Sequence, residues 1–157
     1  MMKPLKTLLF ATLVFLFTNL DASALLGGSA ALYGTYWNAD ESGYGAGLKL
    51  NKSLFDILYI DGRGGYVSFD SGKVEVIPLE ASLNIGLPGP ITPYAGVGVG
   101  YYLIDAPGAE DLSGQFGQIG IEFTILKLGV MAELRYLELE KSYFDGLSAN
   151  AGIMWKF

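Results

Sequence analysis

The sequence predicts an all-β protein: an eight-stranded antiparallel up-and-down β-barrel that spans a membrane and follows a cleaved signal peptide. Its last stretch, 147–157, alternates apolar with small or polar residues at a period of two, which is typical of a strand with two different faces. Turn residues divide the chain into eight such segments, and no apolar run after residue 17 is long enough for a membrane helix. A closed barrel satisfies the backbone hydrogen bonds that lipid cannot.

The start of the chain has the three parts of a secretory signal peptide. Lys3 and Lys6 precede an apolar stretch at 8–17, and the small residues Ala22 to Ala24 follow it. The alternative is a membrane anchor, but this stretch is too short to cross about 30 Å of hydrocarbon. We predict a signal peptide at 1–24 and one barrel domain at 25–157.

The composition disfavours several classes of protein. The chain has no Cys and no His, with 10 basic and 16 acidic residues and a net charge of −6. Because it carries no basic patch, we expect no nucleic-acid partner. Because the absence of His and Cys removes the usual general bases, nucleophile pairs and zinc ligands, we expect no enzymatic activity, no cofactor and no metal site. A carboxylate pair, Glu122 and Glu133, is the remaining candidate for acid–base chemistry, but both residues have basic neighbours.

Turn-forming residues bound each predicted strand. Polar residues at 38–43 end the first strand, and those at 70–72 end the third. Pro88 and Pro90 follow the fourth strand and cannot lie inside a central strand. A tight turn at 126–127 joins the sixth strand to the seventh. The predicted strands are 29–37, 44–50, 55–69, 73–85, 91–104, 115–125, 128 to about 140, and 147–157.

The connections differ between the two ends of the predicted barrel. Those after odd-numbered strands carry most of the loop acidity and include the longest loop, 105–113, whereas those after even-numbered strands are short. Outer-membrane barrels combine longer external loops with short periplasmic turns. We therefore expect both termini in the periplasm.

The alternation places eight charged side chains in the lumen, the interior of the barrel. They are Lys49, Arg63, Arg135, Lys156, Asp61, Glu80, Glu122 and Glu133. Unpaired buried ions are costly, so we expect these four positive and four negative groups to form an ionic network. The network is consistent with either a polar plug or a gated conduit. The plug is favoured because side chains fill the interior of an eight-stranded barrel. Inward Gly96, Gly98, Gly100 and Gly120 would make room for the long charged side chains.

Three further expectations concern the faces of the strands. The phase of the first strand is left open, and the alternation slips at 137–139, which predicts a bulge near the outer rim. Aromatic residues near the strand ends are expected to form girdles at the two membrane interfaces. They are Trp37, Tyr44, Tyr66, Phe69, Tyr101, Tyr102, Tyr136, Tyr143 and Phe144 at one end, and Phe55, Trp155 and Phe157 at the other.

Two motifs resemble those of a known group of barrels. The segment 93–101, PYAGVGVGY, is similar to the PYxGxGxGY strand of small OmpA-like and OmpW-like outer-membrane barrels, and 133–136, ELRY, to the ExRY of their penultimate strand. Trp155 and Phe157 resemble their C-terminal signature, which serves as a signal for the barrel-assembly machinery. The resemblance implies a monomer in the bacterial outer membrane, in contact with lipid and lipopolysaccharide, with Glu133 and Arg135 inside.

These observations favour a structural or surface-interaction barrel with a charge-filled lumen. The alternative is a porin-like narrow pore or a lateral conduit for small or apolar molecules, which an inward apolar surface near Tyr102 and Ile104 would favour. A soluble lipocalin-like barrel would be apolar inside and polar outside, and the alternation runs the opposite way.

Overall fold

Eight antiparallel strands close into one barrel in the computed structural model, which describes residues 27–69 and 74–157. The predicted signal peptide, 1–24, and the predicted turn at 70–72 lie outside the described residues. The strands are β1 Gly28–Asn38, β2 Ser42–Ser53, β3 Leu58–Phe69, β4 Glu75–Gly86, β5 Ile91–Asp105, β6 Leu112–Ile125, β7 Leu128–Leu139 and β8 Gly146–Lys156. A short 3₁₀-helix, Ser142–Phe144, lies between β7 and β8. In these residues no helix is long and apolar enough to cross a membrane.

The starts of β3 and β6 differ most from the predicted ones, by three residues each. β3 begins at Leu58 rather than at 55, because Leu54 N donates to Leu58 O at 2.9 Å and closes a turn before the strand. β6 begins at Leu112, since the pairing of Tyr102 with Leu112 extends the hairpin and Ile104 N donates to Asp111 Oδ1 at 3.1 Å. The predicted loop 105–113 is therefore reduced to 106–111.

The register of the strands fixes the shape of the barrel. A path drawn across the paired residues leaves β1 at Gly28 and returns to it ten residues later, through Lys52, Ile60, Leu83, Val97, Gly117, Tyr136, Leu147 and finally Asn38. With about 3.3 Å per residue and about 4.8 Å between strands, this stagger tilts the strands by about 40°. We call the end that carries Gly28 and Lys156 the termini end, and the opposite end the loop end.

Inward and outward residues alternate along every strand. This includes β1, whose phase could not be assigned from the sequence, and the end of β7, where a bulge was predicted. In β1, Tyr33 and Trp37 are buried inside, whereas Leu32 is 54 % exposed outside. In β7 the buried Leu137 and Leu139 keep the inward phase, and the pairing with β6 is continuous to the end of the strand. The predicted bulge at 137–139 is wrong, because the inward residues become apolar there while the backbone geometry does not change.

The interior is divided into layers along the barrel axis. The loop end is filled by what we call the apolar layer: Trp37, Val67, Phe69, Val76, Tyr102, Ile104, Leu112, Phe116, Leu137, Leu139 and Phe144. Charged and amide side chains fill the middle, and a smaller apolar group, Ala31, Met131 and Met154, packs beyond them.

The apolar layer corrects part of the predicted aromatic girdle. Trp37, Phe69, Tyr102 and Phe144 were expected at the membrane interface, but each is at most 8 % exposed and lies inside the barrel. The strands point Trp37, Phe69 and Tyr102 inward, and the 3₁₀-helix places Phe144 against them. Five other aromatics of that end are exposed: Tyr44, Tyr66, Tyr101, Tyr136 and Tyr143.

Candidate functional site

Six buried charged side chains meet in the middle of the lumen. They come from β2, β3, β4 and β7, and we call them the central charge cluster: Lys49, Asp61, Arg63, Glu80, Glu133 and Arg135. The register makes Lys49, Arg63 and Glu80 direct neighbours across three strands. Because the barrel is closed and narrow, the side chains of β7 reach this row from the opposite wall.

Arg63 is the centre of the cluster. Its Nη2 lies 3.1 Å from Asp61 Oδ2 and donates to Gln118 Oε1 at 3.1 Å. Its Nη1 donates to Glu133 Oε1, and its Nε is 3.9 Å from Glu80 Oε2. One guanidinium therefore faces three carboxylates from three strands, which is the geometry that its planar fork of donors favours.

Glu133 is held by donors from several directions besides Arg63. Lys49 Nζ donates to its Oε2 at 3.2 Å, and Tyr94 Oη donates to the same oxygen at 2.6 Å. Asn150 Nδ2 donates to Oε1 at 2.9 Å. The carboxylate is thus fully hydrogen-bonded, as a buried ion must be to persist.

Arg135 and Glu80 form the part of the cluster that touches the apolar layer. Arg135 Nη2 lies 2.7 Å from Glu80 Oε2, and Tyr102 Oη donates to Glu80 Oε1 at 2.8 Å. The Arg135 guanidinium also stacks over the ring of Phe116, 4.1 Å from its centroid. This cation–π contact joins the charged layer to the apolar layer.

Neutral amides and hydroxyls complete the cluster. Asn84 Nδ2 donates to Asp61 Oδ2 at 3.0 Å, and Gln118 Nε2 donates to Ser82 Oγ at 2.9 Å. The alternation in the sequence also places Asn84, Gln118 and Ser82 inward, but charge alone does not single them out as site residues. Inward phase together with hydrogen-bonding capacity is the signal that would have found them.

Glu122 and Lys156, predicted in the same network, form a separate pair. Lys156 Nζ is 3.9 Å from Glu122 Oε2, and the Lys156 side chain is 35 % exposed. With Tyr59 they line a recess of about 250 Å³ at the termini end. Tyr59 Oη is buried there without a hydrogen-bond partner among the described residues. The predicted set of eight charges is therefore divided into a buried cluster of six and a separate pair, in which Glu122 is buried and Lys156 is partly exposed.

The inward glycines make room for neutral side chains rather than for the long charged ones that the sequence suggested. A Cβ at Gly96 would meet the Asn84 amide, and one at Gly98 would meet the Phe116 ring. A Cβ at Gly120 would meet the Tyr94 ring, and the hydroxyl of that ring serves Glu133. The glycines thus let rings and amides cross the lumen and support the charges from the side.

We expect Gly120→Val to lower the free energy of unfolding by about 1–3 kcal/mol, the usual cost of overpacking. The added side chain would displace the Tyr94 ring from Glu133. Urea unfolding in lipid vesicles measures the change. The control is Gly117→Val, because a Cβ at Gly117 has no atom within 4 Å and points to the outer wall. Equal stability of the two variants would contradict this account of the packing.

Trp155 and Phe157, the predicted assembly signal, lie on the outer wall at the termini end. They are 48 % and 39 % exposed. Phe157 N donates to Gly28 O at 3.1 Å, so the last residue is tied to the first strand where the barrel closes.

The arrangement is balanced and closely packed. Three positive and three negative side chains neutralise one another in the central charge cluster, and each is at most 7 % exposed. A cavity of about 10 Å³ lies where this cluster meets the apolar layer. That is room for about one water molecule. The geometry is that of a filled interior.

Solved structures share this architecture, although neither a protein-family profile nor a curated protein matches the sequence. Neisserial surface protein A is 16 % identical over 83 % of this chain and 96 % of its own, with a TM-score of 0.63. OprG from Pseudomonas aeruginosa is 13 % identical over 84 % of this chain and 96 % of its own, with a TM-score of 0.66. The N-terminal β-barrel domain of Pseudomonas aeruginosa OprF is 15 % identical over 84 % and 98 %, with a TM-score of 0.59.

The chain has the fold of the small outer-membrane barrels. The predicted class, an eight-stranded antiparallel transmembrane up-and-down barrel, is confirmed by the closed strand order and by these likenesses. Identities this low carry the fold and not the activity.

Proposed function

We propose that this chain is a non-enzymatic integral protein of the bacterial outer membrane that acts as a structural or surface-interaction barrel with a closed lumen. The observation that carries the proposal is the double seal of the interior. The central charge cluster fills the middle, and the apolar layer fills the loop end. Side chains rather than water occupy barrels of this size.

The double seal would oppose the passage of ions. A hydrated ion would have to separate Arg63 from Asp61 and Glu133, at the cost of buried charges left unpaired. It would then meet the apolar layer, where Tyr102 and Leu112 are at most 1 % exposed. Neither layer offers a continuous polar path.

The proposed placement has both termini in the periplasm and the loop end outside. It is supported by the connections, which at the loop end include 106–111 and 140–145 and at the termini end include the two-residue turn 126–127. The outer wall would contact membrane lipid and lipopolysaccharide, and Trp155 and Phe157 would be read by the barrel-assembly machinery. The chain would act as a monomer, since its eight strands close without a partner.

Surface interaction would take place at the loop end, where Asp40, Glu41 and Glu110 are exposed. Asp145 has a structural role instead, because its Oδ1 accepts a hydrogen bond from Leu139 N at 2.7 Å and ties the loop to the end of β7. The acidic rim would suit a basic partner.

Conductance in a planar bilayer tests the proposal. We expect the barrel, and the Glu122→Gln variant at the termini-end recess, to give no steady current. Steady conduction that changes with Arg135→Gln would show that the lumen is a path, and the structural proposal would be wrong.

A lateral conduit for apolar molecules is the second candidate, and the apolar layer is the observation that favours it. Such a conduit would require Trp37 and Phe144 to move apart and admit a ligand. The two tryptophans of the chain allow a direct test. In a Trp155→Phe background, quenching of Trp37 by a short brominated alkane at the loop end would support the conduit, and unchanged emission would support the closed barrel.

A further inference from the structure

We propose that a groove on the outer wall of the barrel binds one acyl chain of an anionic phospholipid. The groove lies across β2 to β5 and has a volume of about 610 Å³. Its floor is formed by Gly62 and Ala81, which are paired on β3 and β4. Leu50 pairs with Gly62 on one side, and Val99 pairs with Ala81 on the other. Two small residues between two large ones make a depression, which we call the wall groove.

The wall groove belongs to the membrane-facing surface. Val99 is 65 % exposed, and Ile60, on the same face, is 43 % exposed. Arg63 follows Gly62 on β3, and Glu80 precedes Ala81 on β4. Both side chains point into the lumen, so the floor residues face outward. Apart from Lys52 at one end, the outward side chains of the groove are apolar or aromatic, a surface suited to the hydrocarbon of a membrane.

The dimensions of the wall groove match one extended acyl chain. It reaches from Lys52 on β2 to Tyr101 on β5, which is three strand spacings across and four residues along. The distance across the strands is about 14 Å and the distance along them is about 13 Å, so the diagonal of the groove is about 19 Å. Because the strands tilt by about 40°, a step across them and a step along them both move toward the loop end. The diagonal therefore runs close to the barrel axis. One hydrocarbon leaflet is about 15 Å deep.

The charge at one end of the wall groove selects the lipid. Lys52 lines the groove at the termini end and pairs with Ile60, so it shares the outward face. An acyl chain lying in the groove would bring its phosphate to that end, where an ammonium group favours an anionic headgroup. The leaflet is the periplasmic one if the proposed orientation holds; the site itself does not depend on it.

Native mass spectrometry tests the site, with phosphatidylglycerol and phosphatidylcholine as probes. The refolded chain is released from vesicles that contain equal amounts of the two lipids. We expect one phosphatidylglycerol to remain bound, and Ala81→Leu, which fills the floor of the groove, to reduce its retention at least tenfold. The matched control is Ala132→Leu, the same change at an exposed position on β7, which should retain the lipid as the parent does.

Lys52→Gln separates the headgroup from the chain. It should leave total lipid retention unchanged and abolish the preference for phosphatidylglycerol over phosphatidylcholine. Equal retention by Ala81→Leu and the parent, or no retention by the parent, would overturn the proposal. A dimer that disappears in Ala81→Leu would also overturn it, because the groove would then be a contact between copies. These outcomes are independent of conductance, so they do not bear on whether the lumen is closed.

Discussion

We expect Arg63→Met to lower the free energy of unfolding by about 3–5 kcal/mol, the cost of breaking a buried ion pair from one side. Arg63 is 3 % exposed and faces the carboxylates of Asp61 and Glu133. Methionine keeps much of the length of the side chain but donates no hydrogen bond. Lys49, 3.4 Å from Asp61 and 3.2 Å from Glu133, would then be the cation shared by two buried anions.

Equilibrium unfolding in urea, with the barrel in lipid vesicles, measures this cost. Lys141→Met is the control, because Lys141 pairs at 3.5 Å with Glu110, whose side chain is 82 % exposed, and such surface pairs contribute little. The double variant Arg63→Met with Asp61→Asn should recover part of the loss, since it removes one of the stranded charges. If Arg63→Met unfolds like Lys141→Met, the cluster does not hold the barrel together.

The strands and their faces could be predicted because the barrel uses a two-residue period. Once Ile119 and Ile121 are assigned to the wall, Gln118 and Glu122 must point inward, whatever the rest of the chain does. Pro88 and Pro90 mark a turn for an equally local reason, since neither can donate to the sheet. The buried positions of Gln118 and Glu122 follow from this rule.

The contacts between inward residues could not be predicted in the same way. Which charges meet depends on the stagger of ten residues around the barrel, a property of the closed sheet and not of any strand. That stagger brings Glu133 of β7 against Arg63 of β3 and leaves Glu122 with Lys156 at the termini end. A list of inward charges does not contain this information.

The apolar layer could not be predicted from the sequence, because apolar residues occupy both the inward and the outward face of the strands near the loop end. In β1, Tyr33 and Trp37 point inward while Leu32 and Tyr36 point outward, so hydrophobicity alone gives no phase. Aromatic residues near strand ends are equally typical of a membrane girdle. The pairing of β1 with β2 and β8 decides the phase, since it aligns Trp37 with the buried Gly43 and Ser148.

Trp37→Ala should be the most destabilising change in the apolar layer, at about 3–5 kcal/mol for a buried tryptophan. Trp37 is 3 % exposed, its ring centroid lies 5.5 Å from that of Phe69, and its Nε1 donates to Phe144 O at 3.2 Å. The change would remove a large ring from the lumen and leave the backbone of the 3₁₀-helix without this donor. Trp155→Ala is the matched control and should cost less, because Trp155 is 48 % exposed on the outer wall.

The same two residues allow the inward position of Trp37 to be measured directly. Brominated lipids quench tryptophans on the outer wall of a barrel, so emission from Trp155, observed in a Trp37→Phe variant, should fall sharply. Emission from Trp37, observed in Trp155→Phe, should persist, because the wall of strands separates it from lipid. Strong quenching of both would place Trp37 in the interfacial girdle and remove the apolar layer's largest member. The central charge cluster would then seal the lumen without a contribution from Trp37. A loss of stability in Trp37→Ala would have to be assigned to lost contacts at the membrane interface.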